Sequence, residues 1–134
     1  MRIPIQINEH SPEPLYHQIE TQLRSLIISG QIQEGTLLPS IRELANSLNC
    51  SVITIRRVYQ DLENEGLLRT RQGTGTFVAG VGEQMREKFK RDTVVEALTT
   101  AVETGLSLHL SEDELKTIFM EIVQQKYNQP KERK

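Results

Sequence analysis

Residues 40–78 read SIRELANSLNCSVITIRRVYQDLENEGLLRTRQGTGTFV, and the hydrophobic period changes within this stretch in a way that decides the fold. Ile41, Leu44, Ala45 and Leu48 recur three and four residues apart, the spacing that places side chains on one helical face. Ser40 and Glu43 open this run with the spacing of a capping box. After Asn49 and Cys50 a second run begins. Ser51 can cap it, Val52, Ile55, Tyr59 and Leu62 supply its inward stripe, and Gly66 can stop it. From Leu67 the pattern becomes strand, tight turn, strand, with Gly73 and Gly75 in the turn. A phosphate-binding loop needs its glycines after a strand and at the opening of a helix. Here they follow a helix and precede the extended Thr76-Phe77-Val78, which leaves a groove-contacting hairpin or a plain surface turn.

Upstream, Leu15, Ile19, Leu23, Leu26 and Ile27 form another helical stripe, with Pro14 in the first turn and Gly30 as the C-cap. Gly35 is the expected turn residue of the connection that follows. RIPIQI at 2–7 alternates loosely and is expected to form a short strand, followed by a turn through NEHSPEP. Downstream, Gly80 and Gly82 mark a boundary. Met85, Phe89, Val94, Val95, Leu98 and Val102 then suit a helix ending at Gly105. Ser111 and Glu114 cap a last helix carrying Leu115, Ile118, Phe119, Ile122 and Val123, and the tail QPKERK is expected to fray.

The order helix, helix, helix, hairpin is that of a winged helix-turn-helix, in which the short helix pair carries the recognition element and the hairpin is the wing. The expected fold is therefore mainly α. It has a winged helix-turn-helix DNA-binding domain over residues 1–79 and a helical dimerisation domain of two helices over 80–134.

Bulk properties exclude more than they select. A chain of 134 residues supports one core and a small appendage, not separate cofactor and substrate domains. Cys50 is the single cysteine, which rules out an intrachain disulfide and a cysteine cluster for zinc, and is expected to be a buried reduced thiol. His10, His17 and His109 are scattered without metal-ligand spacing, so neither metal, cofactor nor enzymatic activity is expected. No segment has the length and apolarity of a membrane span, and a cytoplasmic location is the default. The net charge of −2 speaks weakly against nucleic acid and is shared evenly by the two halves. Local placement carries the argument instead.

On a helical wheel of residues 52–64, the side opposite Ile55 and Leu62 carries Ile53, Arg57 and Gln60, with Thr54 and Arg56 on its flanks. An outward Ile53 near the helix start can meet a thymine methyl group, and Thr54 and the arginines can donate to phosphates or base edges. Asp61, Glu63 and Glu65 gather at the far end of the helix, and Glu43 is taken up by capping. In the hairpin, Arg71 supplies charge, and Gly73 and Gly75 allow positive φ or close backbone approach. Phe77 and Val78 are expected to tie the second strand to the core.

The stretch LLPSIRELANSLNCSVITIRRVYQDLENEGLLRTRQGTGTFV, led by PLYHQIETQLRSLIISGQI, resembles the GntR family of bacterial transcription regulators. The short remainder is similar to the YtrA subfamily, whose members replace a large ligand-binding domain with two dimerisation helices. The resemblance implies a homodimeric winged-helix repressor on double-stranded operator DNA of near-palindromic sequence. Regulators of that subfamily often lie beside ABC-transporter genes. It also implies DNA contacts from Arg42, Thr54 and Arg56, and a minor-groove role for Gln72 and Gly73. Val52 stands where well-studied relatives often carry arginine, and the wheel turns it partly inward, which implies a different operator.

The full DNA-facing set expected is Arg42, Ser51, Ile53, Thr54, Arg56, Arg57 and Gln60, with Arg71, Gln72, Gly73, Thr74 and Gly75 at the wing. Arg42, Thr54, Arg56, Arg57, Gln72 and Gly73 are expected to share one exposed face. Leu98, Val102, Leu115, Ile118, Phe119 and Ile122 exceed what two isolated helices can bury, and are expected to meet a second copy. A small-molecule effector is allowed for, but no residue selects one. The competing classes are an enzyme, for which no acid–base constellation is present, and a non-catalytic protein-interaction module.

Overall fold

The computed structural model describes residues 2–128. Its elements, in chain order, are α1 (Leu15–Ile28), α2 (Ile41–Leu48), α3 (Val52–Asn64), β1 (Leu68–Arg71), β2 (Gly75–Val78), α4 (Glu83–Ser107) and α5 (Glu112–Tyr127). The described residues divide into two compact units between Lys90 and Arg91.

In the first unit α1, α2 and α3 enclose one core. Ile19, Leu23 and Ile27 of α1, Leu44 of α2, and Ile55, Val58 and Leu62 of α3 are almost wholly buried, as are Leu67 and Val78 of the hairpin. At about 1.5–3 kcal/mol per large aliphatic side chain removed from water, this cluster is the main stabilising term of the unit. Both bonds of the Ser40–Glu43 capping box form, at 3.0 and 2.8 Å, and Ser51 Oγ accepts from Thr54 N at 3.1 Å to start α3. Positive φ values at Gly30, Gly35 and Gly66 let the chain leave α1, turn toward α2 and leave α3. Ser29 is the C-cap of α1, with Gly30 one residue beyond.

Residues 2–7 do not form a strand. The alternation is real, since Ile3 is buried and Ile5 and Ile7 are half-buried against the core, but their backbone pairs with helix side chains instead of another strand. The Gln22 amide accepts from Gln6 N at 2.9 Å and donates to Gln6 O at 2.7 Å. One helical turn earlier, the Gln18 amide does the same to Asn8, at 2.8 and 3.1 Å. Side chains four apart on a helix are spaced about 6 Å, close to the repeat of alternate residues in an extended chain, so two glutamines reproduce a short ladder.

The hairpin is antiparallel, pairing Leu68 with Val78 and Arg71 with Gly75. Val78 enters the core, whereas Phe77 is only half-buried and lies outside the core cluster. Successive strand residues face opposite sides, so the two could not both anchor the strand in the core. Phe77 instead bridges Leu37 through the backbone and lies under Arg71, 5.6 Å from ring centre to guanidinium. The first turns of α4 belong to this unit: Phe89 packs on the core, and Arg86 Nε donates to Ile28 O at 2.8 Å, satisfying a carbonyl at the end of α1.

The second unit contains the rest of α4 and α5. Gly105 does not end α4, which runs to Ser107. Gly105 is buried, and a Cβ there would lie 3.2 Å from a Leu115 methyl group, so the glycine serves the close approach of α5. The helix stops instead at His109, whose φ of 64° begins a Schellman closure: Leu110 N donates to Gly105 O and His109 N to Leu106 O, both at 3.0 Å. The Ser111–Glu114 capping box then opens α5. The tail QPKERK lies outside the described residues.

Candidate nucleic-acid interface

Tyr59 ties the middle of α3 to the segment that leads into α2, its hydroxyl donating to Pro39 O at 2.7 Å. Burial, with Glu43 adding repulsion, pushes this phenol well above its ordinary range, so it stays a neutral donor. With α3 tied to the entry of α2, its first turns follow directly on the Asn49–Ser51 connection. Val52 is half-buried against the core, as its wheel position implied. Ser51 and Thr54 hydroxyls lie 3.0 Å apart and close the helix cap together, and Thr54 is half-buried. Ile53 is 74% exposed. Arg56 and Gln60 are exposed further along; Gln60 makes only a 3.4 Å contact to Asn64.

Arg57 is on the exposed side, as the wheel places it, but it is not free. Its guanidinium lies 3.6 Å from the centre of the Tyr16 ring and 3.8 Å from Asp61. A helical wheel contains only α3, so it cannot show that α1 brings an aromatic ring to that side chain.

Between β1 and β2 the tip residues Gln72, Gly73 and Thr74 are exposed, and Thr74 N donates to Arg71 O at 2.9 Å. Gly73 has φ +80° and open space around it, so the turn conformation alone calls for glycine. Gly75 has φ +134°, and a Cβ would meet a Leu37 methyl at 2.8 Å. Both backbone and close approach require glycine there. Arg71 is exposed beside the tip.

The charges of this unit are sorted. Arg42, Arg56 and Arg69 are exposed, and among the described residues none of them forms an ion pair. The acids of α3 are engaged: Glu63 accepts from Thr70 at 3.2 Å, Glu65 from Arg24 at 2.7 and 2.9 Å, and Asp61 faces Arg57. Arg69 was missed as a site candidate, although period-two alternation places it on the Arg71 side of β1. Cys50 is half-buried, and desolvation raises its thiol pKa, which makes it a poor nucleophile. Among the described residues no group of three or more His, Cys, Asp or Glu side chains is placed to hold a metal ion, and no helix is long and apolar enough to cross a membrane.

In the second unit, the six residues expected at an interface between copies all line one groove of about 510 Å³ between α4 and α5. Leu98, Val102, Ile118, Phe119 and Ile122 are each at least 39% exposed, while Leu115 is half-buried against Gly105.

Residues 15–78 match the family model described as bacterial regulatory proteins, gntR family. The chain is 39% identical over 75 residues to the HTH-type transcriptional repressor YtrA of Bacillus subtilis, covering 56% of this chain. It spans 58% of that repressor's length, and 37% of another curated repressor that it matches. Among solved structures, YtrA from Sulfolobus acidocaldarius, a GntR-family transcription factor, is 32% identical with a TM-score of 0.54, covering 71% of this chain and 97% of that one. The AraR DNA-binding domain in complex with operator ORX1 is 32% identical with a TM-score of 0.51, covering 58% of this chain and all of that one.

Proposed function

Because the chain belongs to the GntR family of bacterial regulatory proteins, on its YtrA side, we propose that it is a homodimeric repressor that binds a near-palindromic operator through α3 and the wing. The observation that carries this reading is the sorting of charge in the first unit. Arg42, Arg56 and Arg69 stand without ion pairs, while the acids of α3 are held in internal contacts. Such an arrangement suits a polyanion despite the net charge of −2. The AraR relative, solved on its operator, supports the same role for the shared domain.

Within the expected set, Ile53, Arg56 and Gln60 face the major groove, with Arg42 on the backbone and Gln72, Gly73 and Thr74 in the minor groove. Ser51 and Thr54 shape the helix start, and their cap leaves less capacity for base contacts. Gly75 shapes the turn, Arg71 adds charge beside it, and Arg57 acts mainly by holding α3 to Tyr16. The DNA-binding part takes in the first turns of α4 with the rest of the first unit, and the α4–α5 groove takes a second copy. A transporter operon as the controlled unit rests on the YtrA resemblance.

Binding of the full chain to a random-sequence duplex pool, followed by mobility shift across a salt series, tests the reading. We expect selected duplexes bound well above the pool, with affinity falling steeply as salt rises. Arg56→Ala should lose about 1–3 kcal/mol of specific binding with helicity unchanged. A pool that yields no preferred duplex would overturn sequence-specific recognition.

A further inference from the structure

Ile53 is the outward side chain that the first turn of α3 leaves free. Its neighbours are all committed: Val52 packs on the core, Ile55 is fully buried, and the Ser51 and Thr54 hydroxyls close the cap at 3.0 Å. Arg57, one turn on, stacks against Tyr16. The start of the helix therefore offers a β-branched hydrocarbon, 74% exposed, with Arg56 beside it to reach the phosphates or a base. A single exposed aliphatic residue means nothing on most surfaces. At the groove-facing start of a recognition helix it has one chemical counterpart, because among the four bases only thymine presents a methyl group in the major groove.

We propose that Ile53 is a specificity-determining residue that reads the 5-methyl group of thymine in each operator half-site. This rests on α3 being the recognition helix. The Ile53 side chain makes no hydrogen bond, so it separates thymine from cytosine by apolar contact with the methyl group alone.

The test uses the full chain and the tightest duplex recovered from a random-sequence pool, resynthesised with deoxyuridine in place of thymidine one position at a time. Uracil lacks only the methyl group, so pairing and backbone are preserved. We expect one or two positions per half-site at which uracil weakens wild-type binding about fourfold, the factor for one buried methylene-sized group. Ile53→Ala, at an exposed position, should fold normally and bind the thymine and uracil duplexes equally. Equal wild-type affinity for both duplexes would overturn the proposal and leave the recognition-helix reading standing. A uracil effect that persists in Ile53→Ala would assign the methyl contact elsewhere and also overturn it. A pool with no preferred duplex would remove both.

Discussion

Glu20 is buried on α1, where its Oε2 accepts from Arg24 at 3.0 Å while its Oε1 has no donor in reach and the Asp61 carboxyl is its neighbour. Burial, then the proximity of Asp61, raise its pKa above the ordinary 4.5, against the opposing pull of Arg24. A carboxyl raised in the folded state binds its proton more tightly there than in the unfolded chain. The stability it contributes is full below the unfolded value and is lost as pH rises through the folded one. Glu20→Gln keeps an acceptor for Arg24 and removes the ionisation. We expect urea unfolding to show the variant gaining on the wild type as pH climbs from about 4.5 toward neutrality. A difference between the two proteins that does not change with pH would show that Glu20 ionises freely. Neither Glu20 nor the Tyr16–Arg57 stack was legible in the sequence, because each depends on which turn of α1 lies against α3. The outward Ile53 and the inward-leaning Val52 were legible, since one helix's own periodicity decides them.

At the scale of elements, the three N-terminal helices and the hairpin follow from local signals: apolar residues three and four apart, serine caps, and glycines where φ turns positive. The signals failed where a tertiary partner changed their meaning. Alternation over 2–7 reads as a strand, but Gln6 pairs with the amide of Gln22, and Asn8 just beyond pairs with that of Gln18. Gly105 reads as a helix stop, but its missing Cβ makes room for Leu115 while His109 does the stopping. Gly75 combines both kinds of demand. Gly75→Ala should destabilise the first unit by about 1–3 kcal/mol through its backbone conformation. Adding Leu37→Ala should relieve the clash and not the strain, so the double variant should recover only part of the loss. Denaturant midpoints decide this, with Gly82→Ala as the reference because its Cβ would meet nothing within 4 Å. Full recovery in the double variant would mean that Leu37, and not the backbone, is why glycine stands there.

At the scale of the whole molecule, the two units have opposite balances of burial. The first encloses a core of almost wholly buried aliphatic residues, whereas the described residues of the second have no such core and leave Val94, Val95, Leu98, Val102, Phe119 and Ile122 each at least 40% exposed in a single copy. An apolar surface of that density is unusual for a monomer. A two-fold partner that covers the α4–α5 groove would join two α3 helices in one assembly, which suits a two-fold operator whose half-sites lie about 34 Å apart. The proposed dimer therefore links the groove to operator affinity. Phe119 is 45% exposed in one copy, so Phe119→Asp should leave the fold intact by circular dichroism. In the dimer it would place an unpaired carboxylate in a desolvated seam, at a cost of about 3 kcal/mol or more, roughly a hundredfold in dimer dissociation. Sedimentation equilibrium at micromolar concentration should then find a dimeric wild type and a largely monomeric variant, and operator binding should weaken in parallel. A wild type that sediments as a monomer would overturn the dimeric assignment outright. A Phe119→Asp protein that stays dimeric would move the interface to another face of the helices.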